Sequence, residues 1–263
     1  MNRWRTQPAP SITGYARGQS AAGGDPVRRR PVRQHPEARM PASQPIVLVH
    51  GTRTSSRIWE DQVRALTHGG HVTHAIDLPG HGVRAGERFT FEGGLAAIDA
   101  AVRGCDEPPL LVGLSLGGYM SLAYAARHED RLAGVVLAGC STEIKGKPLR
   151  AYRRASGRVV RTLGRGGGSW HVVTDMLAAL HGYSPLADLR RLVLPVWLVN
   201  GSRDPLRFGA RGFLGAHPGA RQWVVPNAGH DVNSHQPVAF NRILLHVLRD
   251  LAHRGLPGTP RLG

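Results

Sequence analysis

Two cysteines in 263 residues cannot build the disulfide framework on which small secreted domains depend. No apolar run approaches the roughly 18 residues of a membrane span, so the sequence reads as that of a soluble chain. Acidic residues are scarce, 18 against 34 lysines and arginines, which leaves a formal net charge of +16. Such a balance fits a chain held to nucleic acid, an anionic membrane face or an acidic partner. Length and apolar content are what the chain does have. A 41% hydrophobic fraction excludes a wholly disordered polymer, and 263 residues suffice for one large domain or two small ones with a sizeable core.

The charge is segmental. Residues 1–44 carry eight arginines (Arg3, Arg5, Arg17, Arg28, Arg29, Arg30, Arg33, Arg39) against Asp25 and Glu37, which is +6 of the total. Residues 141–191 carry ten basic residues, among them Lys145, Lys147, Arg150 and Arg165, against Glu143, Asp175 and Asp188, which is +7. The remainder is close to neutral. Residues 1–44 mix Pro, Gly, Ser and Arg without an apolar run, as in a disordered arm. Arg28-Arg29-Arg30 lacks the apolar stretch of an export signal, so cytoplasmic residence is expected, and translation from Met40 would leave only the ordered body.

From Pro45 onward, short apolar runs alternate with helical patterns. Strands are expected at Ile46–Val49, Val72–Asp77, Leu110–Gly113, Leu132–Ala138, Val193–Val199 and Gln222–Val225. Helices are expected from about Trp59 to Leu66, Phe91 to Val102, Leu116 to Arg127, Phe208 to Ala216 and Val238 to Ala252. Regular alternation predicts an α/β fold: a mostly parallel sheet of about six strands with helices on both faces.

The most informative motif is Gly113-Leu114-Ser115-Leu116-Gly117, between an apolar run and a helical pattern. A serine on so sharp a strand-to-helix turn needs small neighbours, and the turn lifts its hydroxyl above the sheet edge beside free helix N–H groups. Three further stretches follow expected strands: His50-Gly51, Asp77-Leu78-Pro79-Gly80-His81-Gly82, and Gly201-Ser202-Arg203-Asp204. Asn227-Ala228-Gly229-His230 follows the last one.

Together, over Pro45 to about Ala252, these motifs resemble the α/β-hydrolase family. The resemblance implies a catalytic triad of Ser115, Asp204 and His230 in the family's chain order. It also implies an oxyanion hole made by the backbone N–H groups of Thr52 and Leu116. Ser115 would attack an ester, thioester or amide while His230 takes its proton, and Asp204 would orient the imidazole. A serine in place of an aspartate argues against alkyl-enzyme ester chemistry. Neither cofactor nor metal is implied: Gly69-Gly70 breaks any helix linking His68, His71 and His74, which read as surface or packing residues. Glu143, after the fourth strand, is the rival for the triad acid. His235 reads as solvent-facing, His50 as a brace of the oxyanion loop, and Cys105 and Cys140 as packing residues.

Residues 141–191 fall where the family inserts its cap, so a short basic cap is expected, with a basic helix at Tyr152–Leu163 and a flexible stretch at Gly164–Ser169. Such a cap either presents a solvated basic face or steers an anionic substrate, such as an acyl group on a phosphopantetheine carrier or coenzyme A, or a carboxylated small molecule. The expected partner is thus a small-molecule or carrier-bound ester or thioester, with no nucleic acid and no membrane span, and the oligomeric state stays open. A non-catalytic ligand-binding protein on the same fold is the alternative.

Overall fold

The computed structural model describes residues 44–146 and 170–254. The arm at 1–43, the expected basic helix at Tyr152–Leu163 and the glycine stretch Gly164–Ser169 lie outside the described residues. Gln44, read above as the end of the arm, already belongs to the body: its side-chain amide donates to Pro108 O at 2.6 Å.

Six parallel strands form one sheet in the order β2-β1-β3-β4-β5-β6. They are β1 (Ile46–Val49), β2 (Thr73–Ile76), β3 (Leu110–Leu114), β4 (Gly134–Ala138), β5 (Val196–Gly201) and β6 (Arg221–Val225). The four inner strands, IVLV, LLVGL, GVVLA and VWLVNG, are buried at every position, as strands covered on both faces require. The two outer strands are partly exposed.

Alternate strand residues feed two cores. Val47, Val49, Leu111, Val135, Leu137 and Leu198 point to one, with Met120, Leu122 and Phe213 of the helices α3 (Leu116–Ala125) and α6 (Ala210–Ala216). Ile46, Leu48, Leu110, Val112, Val136 and Val199 point to the other, with Leu66 of α1 (Glu60–His68) and Phe240, Leu244 and Val247 of α8 (Pro237–Arg254). Each fully buried large aliphatic side chain contributes about 1.5–3 kcal/mol, so the two cores dominate stability. Helix α2 (Phe91–Arg103) joins the first core and starts at Thr90, whose hydroxyl accepts from Gly93 N–H.

Between β4 and β5 the chain forms α4 (Trp170–Ala179) and α5 (Pro185–Leu189). Ser184 caps α5 and Pro185 occupies its first turn. Glu143 holds the same end, accepting from Ser184 Oγ at 2.9 Å and Leu186 N–H at 3.3 Å. Arg88 grips Asp175 of α4 through two N–H groups, one at 2.6 Å.

The chain runs from β1 to β2 on one side, then crosses from β2 to β3 on the other side of β1, where the direction of strand addition reverses. Open parallel sheets form their ligand crevice at such a reversal, beyond the carboxyl ends of the strands. His50-Gly51 stands at the end of β1 and Ser115 at the end of β3.

Candidate active site

Ser115 has φ 53° and ψ −114°, a conformation that an L-residue holds only when its surroundings impose it. The imposition is steric. A Cβ on Gly113 would collide with Gly117 O, and one on Gly117 with the carbonyls of Val49 and His50. With those positions bare, α3 starts directly against β1, and Ser115 N–H donates to Ala138 O at 2.7 Å. The next residue, Leu116, opens the helix with an N–H that no described carbonyl accepts.

The loop after β1 is organised by His50, which is fully buried. Leu78 N–H donates to its Nε2 at 3.1 Å, so the ring proton sits on Nδ1 and is donated to Gly51 O at 2.7 Å. Burial holds this imidazole neutral, with its pKa lowered to about 4. Asp77, 3.9 Å from Nε2, is therefore not an ion-pair partner here. Although burial disfavours its charge, the Asp77 carboxylate is kept below the usual range by Ser56 N–H at 2.6 Å and Val83 N–H at 2.9 Å. Gly51 O also accepts Thr54 Oγ–H at 2.8 Å. A trans peptide with its carbonyl pinned twice must send the following N–H, that of Thr52, the opposite way. No described residue accepts from it. Gly51 stands close to Ser115, since a Cβ there would lie 3.3 Å from Ser115 Cβ.

His230 brings the remaining groups together. Its Nε2 lies 2.8 Å from Ser115 Oγ and its Nδ1 3.1 Å from Asp204 Oδ2. Asp204 is buried, and its other oxygen accepts Leu206 N–H at 3.0 Å. The Asp204 hydrogen bond raises the His230 pKa above its ordinary value of 6.5, against the opposing effect of burial. Gly139, at φ 59°, backs the histidine: a Cβ there would stand 3.0 Å from His230 O. Of the two acids, Asp204 meets the imidazole, while Glu143 is committed to the start of α5.

Cys140 is buried beside Gly118, and burial pushes its thiol pKa well up. Among the described residues no group of three or more His, Cys, Asp or Glu could hold a metal ion. No helix among them is long and apolar enough to cross a membrane.

Sequence reasoning missed two features. A buried amide cluster links Gln62 to Asn233 O at 3.2 Å and to Asn241 Oδ1 at 3.0 Å. Polar residues on otherwise apolar helix faces were its only trace in the sequence. His235, read as solvent-facing, is indeed exposed, yet its Nδ1 accepts Gly229 N–H at 3.0 Å.

Residues 46–243 match the model of the Alpha/beta hydrolase family. A pimeloyl-[acyl-carrier protein] methyl ester esterase of Neisseria meningitidis serogroup C is 28% identical over 240 residues, 75% of this chain and 91% of that protein. The like-named protein of serogroup A is 36% identical over 107 residues, and that match spans only 33% of its length. Among solved structures, a thermophilic esterase from Thermogutta terrifontis superposes with a TM-score of 0.69 at 22% identity, over 80% of this chain and 90% of that one. At that identity the likeness is one of fold.

Proposed function

We propose that this chain, which belongs to the α/β-hydrolase family and is a serine hydrolase, cleaves acyl esters or thioesters through Ser115, His230 and Asp204. The observation that carries the assignment is the continuous hydrogen-bonded line from Ser115 Oγ through His230 to Asp204, at 2.8 and 3.1 Å. His230 Nε2 takes the hydroxyl proton as Ser115 attacks the acyl carbon, then returns it to the leaving alcohol or thiol. Asp204 holds Nδ1–H and stabilises the imidazolium. The Thr52 and Leu116 N–H groups receive the oxyanion; each such donor is worth about 2.7–4 kcal/mol in the transition state. Water, activated by the same histidine, then releases the acyl-serine.

For the substrate, the reading is an anionic acyl compound, carrier-bound acyl esters included. Support comes from the ten basic residues of 141–191 and from the carrier-linked ester that names the meningococcal relative. The basic segment is the cap in this reading, and residues 1–43 are an arm that precedes the hydrolase domain in the chain. Labelling by a fluorophosphonate, abolished in Ser115→Ala, tests the chemistry. Turnover of matched neutral and anionic acyl esters at rising salt tests the charge preference: a preference for the anion that fades with salt is expected, and equal salt-independent rates would refute it.

A further inference from the structure

We propose that His235 is a positioning residue for His230, acting through the peptide of Gly229. The proposal rests on the triad reading above and adds a residue outside it. Gly229 N–H donates to His235 Nδ1 at 3.0 Å. A backbone amide can only donate, so Nδ1 carries the lone pair and the ring is the neutral Nε2–H tautomer.

The loop carrying His230 is held residue by residue. Asn227 N–H donates to Ser202 Oγ at 3.0 Å, and Arg203 N–H to Ala228 O at 2.9 Å, so the β5 side fixes its start. Val232 N–H donates to His230 O at 2.9 Å and fixes its end. Arg203 thus holds the carbonyl of the Ala228–Gly229 peptide, and the N–H of that same peptide, on the residue with the greatest backbone freedom, is held among the described residues by His235 alone. The imidazole at 235 is itself well mounted despite its exposure. It ends the short helix α7 (Val232–His235), where its N–H donates to Asp231 O at 2.9 Å. Buried Asn233 of the same turn donates to Ile58 O at 2.8 Å and to Gln62 Oε1 at 3.3 Å. One short turn thus grips the segment that follows the oxyanion loop and, through His235, the Ala228–Gly229 peptide, one peptide removed from the base.

Orientation errors of this kind act on the reaction rather than on binding. The His230 ring must meet Ser115 Oγ and Asp204 Oδ2 at once, and a rotation of the Ala228–Gly229 peptide, passed on through Gly229, disturbs both contacts.

The test compares wild type, His235→Ala and His235→Asn by fluorophosphonate labelling rate and by kcat and KM on p-nitrophenyl acetate. Asn places its Oδ1 as many bonds from Cβ as Nδ1, and so keeps the acceptor. Expected is a loss of about tenfold in labelling rate and kcat for the Ala variant, with KM within about twofold, and near-complete recovery with Asn. Nitrogen-15 spectra of wild type should show His235 as the Nε2–H tautomer. An Ala variant that reacts at the wild-type rate, an Asn variant that falls as far as Ala, or an Nδ1–H tautomer overturns the proposal. If Ala does not fold, His235→Gln replaces it: its acceptor sits one bond further out, and a Gln variant as fast as Asn also overturns it. Wild-type protein that takes no label overturns the triad reading itself, a result distinguishable from slow labelling confined to the variants.

Discussion

Ser115 and His230 stand 2.8 Å apart yet are held by different means. At the serine turn the backbone is fixed by contact, because Gly113 and Gly117 leave no room for a Cβ between α3, β1 and β3. At the histidine loop contact acts too, since a Cβ on Gly201 would collide with the carbonyls of Ala228 and Gly229, but hydrogen bonds are added to it, several from side chains and several exposed. Steric fixation against a buried sheet admits no small adjustment, since a close-packed interior has nowhere to move. Hydrogen-bonded fixation is graded, and each tie can be removed singly. The place of Ser115 is therefore part of the fold, whereas that of His230 has in addition ties that can be tuned without unfolding anything.

The largest effect should come from Ser115→Ala. It removes the proposed attacking atom and relieves no packing, so hydrolysis should fall by at least about 10⁴-fold with the melting temperature nearly unchanged. Substantial turnover in that variant would place the nucleophile elsewhere. Next comes Asp204→Asn, which leaves the shape of the buried site intact but removes the charge that orients His230. A fall in kcat of about 10³-fold is expected, read by steady-state kinetics.

Gly117→Ala tests the steric half. Its methyl would enter the carbonyls of Val49 and His50, which are backbone and cannot swing aside. A loss of about 3 kcal/mol in denaturant unfolding is expected. A stable, active Ala variant would show that the turn is held by something other than contact. At the histidine loop, by comparison, substitutions of the exposed hydrogen-bonding side chains should change rate while leaving stability almost untouched.

The pH dependence sharpens the polar half. Asp204 raises the His230 pKa, so kcat/KM should decline on its acid limb as pH drops through a value above 6.5, and the residual activity of Asp204→Asn should decline at lower pH. The stability linkage has the same origin. A raised folded-state pKa adds stability that is complete below the ordinary value of 6.5 and is lost as pH rises through the folded value. The stability gap between wild type and Asp204→Asn should thus be wider at pH 5 than at pH 9. A gap independent of pH would mean that His230 does not sense Asp204.

Most of the fold was legible because inner strands covered on both faces must be continuous apolar runs, as in Ile46–Val49 and Leu110–Leu114. Helix starts shifted where 3-10 turns intervene, at Ser56–Trp59 before α1 and Pro205–Gly209 before α6. Ser115 was legible because its strain demands glycines at fixed offsets. His50 was read as a brace, but the tautomer that turns the Gly51 peptide depends on Leu78, 28 residues away. The hydrogen bond from Gly229 to His235 left no pattern at all, since any acceptor of the right length at position 235 would serve.

Glu143 carries the smallest expected effect and separates the two acids. In sequence it competes with Asp204, standing after β4 as Asp204 stands after β5. In space its carboxylate accepts from Ser184 Oγ, from Leu186 N–H and, at 2.8 Å, from Lys145 N–H, all within the segment that leads to α5. Gln at this position keeps one acceptor oxygen and loses the second, so Glu143→Gln should cost less than about 1 kcal/mol in stability. Its kcat should stay within about twofold of wild type, because none of the lost bonds reaches His230. A kcat as low as that of Asp204→Asn would instead mean that the start of α5 governs the base, and that the polar ties of the active site extend into the segment between β4 and β5.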